Sequence, residues 1–222
     1  LVAFSANAGS LSATGAASLT FSNAWDESLT HEGNQWTMGD SVTMTGSGEM
    51  DNGMTISVSF EIDNDDTGGG NVYDSHSMTL DTNGFGTITF AGHGGDGFMS
   101  ANDDVMPTAS EEPWDVISGA DAGVINGFSG NDMFTYKLSH ESGLNFTVGY
   151  INASDAVTDV SYSDFGVTYT GMDGLTIGYG EGDVESTTNS KSNESTMFAK
   201  YAFGSATVGI QVSEADSESG TD

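Results

Sequence analysis

An all-β chain whose antiparallel strands build a transmembrane barrel is what this sequence predicts, and three observations predict it. Apolar residues recur at every second position through most of the chain. The connections between these stretches alternate between short and long. The polar half of each stretch is mostly Ser, Thr and Gly, with few charges.

The alternation comes first. Met54, Ile56, Val58, Phe60 and Ile62 interleave with Thr55, Ser57, Ser59, Glu61 and Asp63. Leu144, Phe146, Val148 and Tyr150 interleave with Asn145, Thr147 and Gly149. Ala206, Val208, Ile210 and Val212 interleave with Thr207, Gly209, Gln211 and Ser213. Period two puts each apolar set on one face of a strand, and no segment sustains a helical period. About eleven strands follow, over 10–22, 35–47, 54–63, 72–81, 85–92, 131–139, 143–152, 158–169, 174–182, 194–203 and 205–213. In the eighth, Val160 and Tyr162 keep one phase while Phe165, Val167 and Tyr169 keep the other, which predicts a β-bulge near Asp164.

The connections sort by length. Short ones carry turn chemistry, as in Asp51-Asn52-Gly53, Thr82-Asn83-Gly84 and Asp173-Gly174. Long ones cover 23–34, 64–71, 93–130, 153–157, 183–193 and the stretch after Ser213, and hold most of the acid. Strict alternation places every short turn at one end of the sheet, as in membrane barrels. A Greek-key sandwich does not sort its loops this way. Aromatic residues stand near strand ends (Phe21, Trp36, Tyr150, Tyr169, Tyr179, Phe203), the position of interfacial girdles. A polar, weakly charged opposite face suits a water-filled lumen, whereas a soluble barrel turns its apolar face inward.

Composition narrows the function. The 222 residues carry a formal charge of −30, from 33 acidic residues against three lysines (Lys137, Lys191, Lys200) and no arginine. Nothing could neutralise phosphates, so nucleic acid is excluded as a partner, and docking on anionic headgroups is disfavoured. There is no cysteine, hence no disulfide, thiol nucleophile or thiolate metal site. No run reaches the roughly 20 apolar residues of a membrane helix, but a barrel strand needs only about 9–11 alternating ones. Leu1-Val2-Ala3-Phe4 followed by Ala6-Asn7-Ala8 reads as the end of a secretory signal, giving residues 1–8 as a remnant and 9–222 as the barrel.

The connection from about 93 to 130 is far longer than a hairpin loop and is expected to be functional. It contains Gly92-His93-Gly94-Gly95-Asp96-Gly97-Phe98, Asp103-Asp104 and Glu111-Glu112-Pro113-Trp114-Asp115, with apolar residues between the acids. That mixture predicts a loop packed against another surface.

At this point the chain resembles a known family. Trp36-Thr37-Met38-Gly39-Asp40 through Phe60-Glu61, the hairpin around Asn83-Gly84-Phe85-Gly86-Thr87-Ile88 and the acidic loop ending near Trp114-Asp115 are similar, in order, to the general porins of alphaproteobacteria, the type found in Rhodobacter. The acidity and Met44-Thr45-Gly46-Ser47-Gly48-Glu49-Met50-Asp51 are closer still to porins of marine alphaproteobacteria. The resemblance implies an outer-membrane barrel of about sixteen strands, a trimer, and a loop after the fifth strand that folds inward to narrow the pore. About eleven strands would then be present, in an N-terminal portion that does not close by itself.

By that resemblance Asp96, Asp103, Asp104, Glu111, Glu112 and Asp115 are the constriction candidates, and rings of carboxylates select cations. The family sets such acids against basic residues on the wall. Here Lys137 is expected to face the lumen, as is Glu61, and the rest of the basic half either lies in strands not present in this sequence or is absent. Asp63, Asp65 and Asp66 are weak calcium candidates, and Ser129 to Phe134 loosely resembles one calcium β-roll repeat, a single copy with no tandem period. No other cofactor is expected. The four histidines lack metal-ligand spacing, and no nucleophile motif or phosphate loop is present, so no enzyme is expected. The expected activity is passive diffusion of small hydrophilic solutes and ions, cations preferred, with outer-membrane lipid around the barrel. The competing readings are a secreted acidic calcium-binding surface or adhesion protein, and a barrel that binds without conducting.

Overall fold

The structure, a computed structural model, describes residues 10–23, 34–63, 75–107, 129–130, 132–152, 160–186 and 190–219. The signal-remnant reading of 1–8 lies outside them.

Among the described residues thirteen strands form in chain order: β1 (Ser10–Asn23), β2 (Asn34–Glu49), β3 (Thr55–Asp63), β4 (Ser75–Asp81), β5 (Thr87–His93), β6 (Gly95–Asp96), β7 (Ser129–Gly130), β8 (Met133–Ser139), β9 (Leu144–Ile151), β10 (Val160–Tyr169), β11 (Leu175–Ser186), β12 (Ser190–Phe203) and β13 (Ala206–Ser219). Eleven of them make one antiparallel sheet in sequence order, β1-β2-β3-β4-β5-β8-β9-β10-β11-β12-β13. The short β6 and β7 pair separately, at the two ends of the long connection. Within this sheet neighbours in space are neighbours in chain order except that β8 follows β5, and β1 and β13 are the edges.

The register places like residues on like faces. One row across the sheet reads Ser47, Ser57, Thr79, Thr89, Thr135, Gly149, Asp164. The next reads Gly46, Val58, Met78, Phe90, Phe134, Tyr150. The first row belongs to a hydroxyl-rich face, the second to an apolar one. Cross-strand hydroxyl pairs join the former: Ser12 with Thr45 at 2.6 Å, Thr79 with Thr89 at 2.9 Å, and Thr196 with Ser213 at 2.9 Å.

The apolar face is open. Leu19, Trp36, Met38, Phe146, Val148, Phe165, Met197, Ile210 and Val212 are all exposed. Soluble monomers rarely leave apolar patches beyond a few hundred Å² uncovered. Aromatic pairs sit toward both ends of this face. Phe21 and Trp36 have ring centroids 4.7 Å apart near the long-loop end, and Tyr201 and Phe203 lie 6.1 Å apart near the short-turn end.

The short turns all fall at one end. In the turn 82–86, between Asp81 and Thr87, Asn83 (φ 57°), Gly84 (φ 106°) and Gly86 (φ 89°) all sit left-handed, a conformation that Gly and Asn adopt most readily. The Asn83 amide donates to Asp81 Oδ1 at 2.9 Å. Asn83→Val is expected to lower the unfolding free energy by about 1–2 kcal/mol, the left-handed penalty of a branched residue. A urea titration of the vesicle-inserted protein checks it.

Two expectations change. The phase break in β10 is not a bulge, because Val160 to Tyr169 pairs with β11, and Tyr162 to Tyr169 with β9, without a slip. Tyr162 is instead an aromatic residue on the hydroxyl face, in step with Asp164 and Gly166. The register slip among the early strands is between His76 and Ser77, where His76 faces His93 and Ser77 faces Ala91. Secondly, the acidic stretches read as loops after Gly182 and Ser213 are strand. β11 runs on to Ser186 and β13 to Ser219. Fourteen residues at about 3.4 Å each span more than the ~30 Å hydrocarbon core. Strand pairing therefore continues where the sequence is already acidic.

Candidate functional site

Among the described residues, the buried apolar side chains lie on the hydroxyl face or on the segment that covers it. All but Ala91 fall into two clusters, Phe98, Met99 and Phe198, and Met133, Ile151 and Tyr162. The covering segment is the start of the long connection. From β5 it passes through β6 and a single 3-10 turn (Ser100–Asn102), then on to Pro107. On the way it crosses the hydroxyl face from β8 to β13.

Each step of the crossing has a wall partner. Thr135 Oγ1 on β8 donates to the Asp96 carbonyl at 3.1 Å. The Met99 amide donates to Asp164 Oδ2 on β10 at 2.9 Å, and Tyr162 donates its hydroxyl to the same oxygen at 2.9 Å. The Phe98 ring lies where side chains at Gly166 on β10 and Gly180 on β11 would stand, so only glycine at both positions leaves it room. On β13, Gln211 Oε1 accepts the Val105 amide at 3.0 Å. Its Nε2 donates to the carbonyls of Asn102 (2.9 Å) and Asp103 (3.0 Å) and to Thr196 Oγ1 (3.0 Å). Met106 and Pro107 reach Gly209. The turn is held internally by Asn102 Nδ2 donating to the Phe98 carbonyl at 2.8 Å and the Gly97 amide donating to Ser100 Oγ at 3.0 Å.

The acids expected at a constriction divide by where they fall. Asp96, Asp103 and Asp104 are exposed on this covering segment. Asp103 Oδ1 accepts the Asp104 amide at 2.8 Å and Asp104 Oδ1 accepts the Met106 amide at 3.0 Å, so one oxygen of each shapes the chain. Glu111, Glu112 and Asp115 lie outside the described residues. Glu61 is on the hydroxyl face beside Ser75, whose Oγ donates to Glu61 Oε2 at 3.3 Å. Lys137 is on the same face, exposed, in register with Thr87 and Thr147 near the short turns. With them on that face stand Glu49, Asp63, Asp81, Asp164 and Glu194, and Lys200.

Of the calcium candidates, Asp63 ends β3, and Asp65 and Asp66 lie outside the described residues. Among the described residues no group of three or more His, Asp or Glu is placed to hold a metal. No helix among the described residues is long and apolar enough to cross a membrane, which says nothing of strands.

Sequence reasoning missed Asp164, Gln211 and the glycine seat under Phe98. A signal existed for two of them. Asp164 is an acid in mid-strand with no cation in its strand, and Gly178, Gly180 and Gly182 repeat at the strand period, which bares one face of β11 to close approach.

Comparison with known proteins agrees with this architecture. A family model described as Gram-negative porin matches residues 1–222. No curated protein matches the chain by sequence. Among solved structures, an anion-selective porin from Comamonas acidovorans is similar with TM-score 0.65 and 18% identity, covering 94% of this chain and 69% of that one. A loop-deletion mutant of OmpT, an outer membrane protein of Vibrio cholerae, is similar with TM-score 0.64 and 14% identity, covering 96% and 71%. A triple mutant of Rhodopseudomonas blastica porin is similar with TM-score 0.51 and 17% identity, covering 93% and 85%.

Proposed function

Because the chain belongs to the Gram-negative porin family, a family of channels and not of enzymes, we propose that it lets small hydrophilic solutes and ions diffuse across the outer membrane, cations preferred. The observation that carries this reading is the packing of residues 95–107 across the hydroxyl face while the apolar face stays open. A hydroxyl wall replaces water of hydration cheaply and binds nothing tightly, which suits passage. An apolar outer face suits lipid. In this reading the covering segment, with its continuation to about 130, is the constriction, and the barrel is of the alphaproteobacterial general type, trimeric and exported behind a signal ending at Ala8.

The cation preference rests on charge balance at the wall. Asp96, Asp103 and Asp104 stand on the covering segment, and six wall acids share the hydroxyl face with Lys137 and Lys200 alone. The Comamonas acidovorans porin is described as anion-selective. At 18% identity the likeness carries the fold, while selectivity follows the side chains of each pore.

The test is the reversal potential in a planar bilayer under a potassium chloride gradient. The expected sign is cation-selective. Asp103→Asn with Asp104→Asn is expected to lower the cation-to-anion permeability ratio by about twofold per charge, the Coulomb effect on an ion passing roughly 8 Å away in water after screening at about 0.15 M salt. The loss shrinks in 1 M salt, where the Debye length is about 3 Å. An anion-selective potential from the unaltered protein overturns the preference. The acidic calcium-binding surface protein predicts no conductance steps at all.

A further inference from the structure

The covering segment has no stable fold of its own, so something on the wall must fix its position. Its only regular structure is one 3-10 turn and a two-residue strand pair. Two polar wall side chains meet it: Gln211 bonds it at Asn102, Asp103 and Val105, and Asp164, which is withdrawn from water, bonds it at Met99. Asp164 is 3% exposed at the centre of β10, with Gly97 and Gly149 packed against its carboxylate. Its Oδ2 accepts from both Met99 N–H and Tyr162 O–H, while Oδ1 is buried and has no hydrogen-bond partner among the described residues. A buried carboxylate only partly satisfied costs stability, and its retention in a channel wall calls for a functional return. Gln211 is bonded through both amide atoms, to Asn102, Asp103, Val105 and Thr196.

We infer that Asp164 and Gln211 are positioning residues that hold the covering segment at two points and so set the width and steadiness of the pore. Asp164 fixes the segment at Met99, above β10. Gln211 fixes it at Asn102 to Val105, above β13, and so places the exposed carboxylates of Asp103 and Asp104. The two points lie on strands three apart in the sheet, so the segment between them is a tie and not a swinging flap. Neither residue needs to touch the permeating ion. The consequence for conductance rests on the pore reading above; the anchoring itself does not.

The experiment separates these two. The chain has no cysteine, so Ala101→Cys, exposed on the 3-10 turn, takes a single nitroxide label. Its spectrum in vesicles reports whether the segment is held, and bilayer recordings of the same protein report the pore. Asp164→Ala and Gln211→Leu are each expected to free the label and to give larger, noisier conductance steps. Asp164→Asn keeps an acceptor for Met99 and Tyr162 and is expected to restore both readouts. If Asp164→Ala fails to fold, Gln211→Leu leaves the buried carboxylate in place and reads the same question. An immobile label with unchanged steps in Gln211→Leu and in a folded Asp164→Ala overturns the inference. A freed label with unchanged steps upholds the anchoring and overturns the constriction reading instead.

Discussion

Phe98→Ala will detach the covering segment while leaving the strand ladder intact. Phe98 is 3% exposed and clusters with Met99 and Phe198, with Val105 and Met106 packed alongside. Removing a buried phenylalanine costs about 3–5 kcal/mol when the site cannot collapse. Here the site cannot collapse, because its floor is backbone: Gly166 and Gly180 are fixed by pairing with Thr147, with each other and with Thr196. The loss therefore falls on the docking of the segment, shifting docked against undocked by about a hundredfold or more. The expected result is a larger, fluctuating conductance and rapid proteolysis after Gly94, with the heat needed to unfold the barrel unchanged. Gly180→Val approaches the same seat from the wall. Its side chain would occupy the place of the ring, so it is expected to show the same phenotype with Phe98 untouched. If either variant unfolds the sheet as a whole, the segment is part of the barrel's core and not a separately docked element.

The order of the sheet was readable in the sequence because strand period and connection length are local. Hydroxyl residues at 55, 57 and 59 against apolar ones at 56, 58 and 60 leave one solution for β3, and turn residues such as Asn83-Gly84 fix where it returns. What was not readable depends on partners distant in the chain. Asp164 acquires its role from Met99, 65 residues earlier. Gln211 acquires its role from Asn102 and Val105, more than a hundred residues earlier. Period two also misleads where a lumen residue is aromatic. Tyr162 broke the apolar rhythm and suggested a bulge, when it is a buried donor to Asp164. The acidic ends of β11 and β13 look like loops in the sequence because charge usually marks turns. In a strand longer than the membrane is thick, acid marks instead where the wall leaves lipid for water.

Val58→Arg and Ser59→Arg, adjacent on β3, will separate the two faces most sharply. Val58 is in register with Gly46 and Met78 on the apolar face, and Ser59 with Thr45 and Ser77 on the hydroxyl face. An arginine facing hydrocarbon near mid-membrane is expected to cost about 2–4 kcal/mol. The same residue one position on faces water and is expected to change stability by no more than about 0.5 kcal/mol. It should act on permeation instead, because it adds a positive charge to a part of the wall that carries Glu61 and Asp63 but no lysine among its described neighbours. Urea titration of folding into phosphatidylcholine vesicles reads the first effect, and the reversal potential under a salt gradient reads the second, as a shift toward anions. In a soluble sandwich the apolar face would be a packed core and the hydroxyl face an outer surface. Val58→Arg would then unfold the protein in plain buffer, and Ser59→Arg would have no potential to shift. In a barrel both proteins need the bilayer to fold, and only the arginine on the hydroxyl face is felt by an ion.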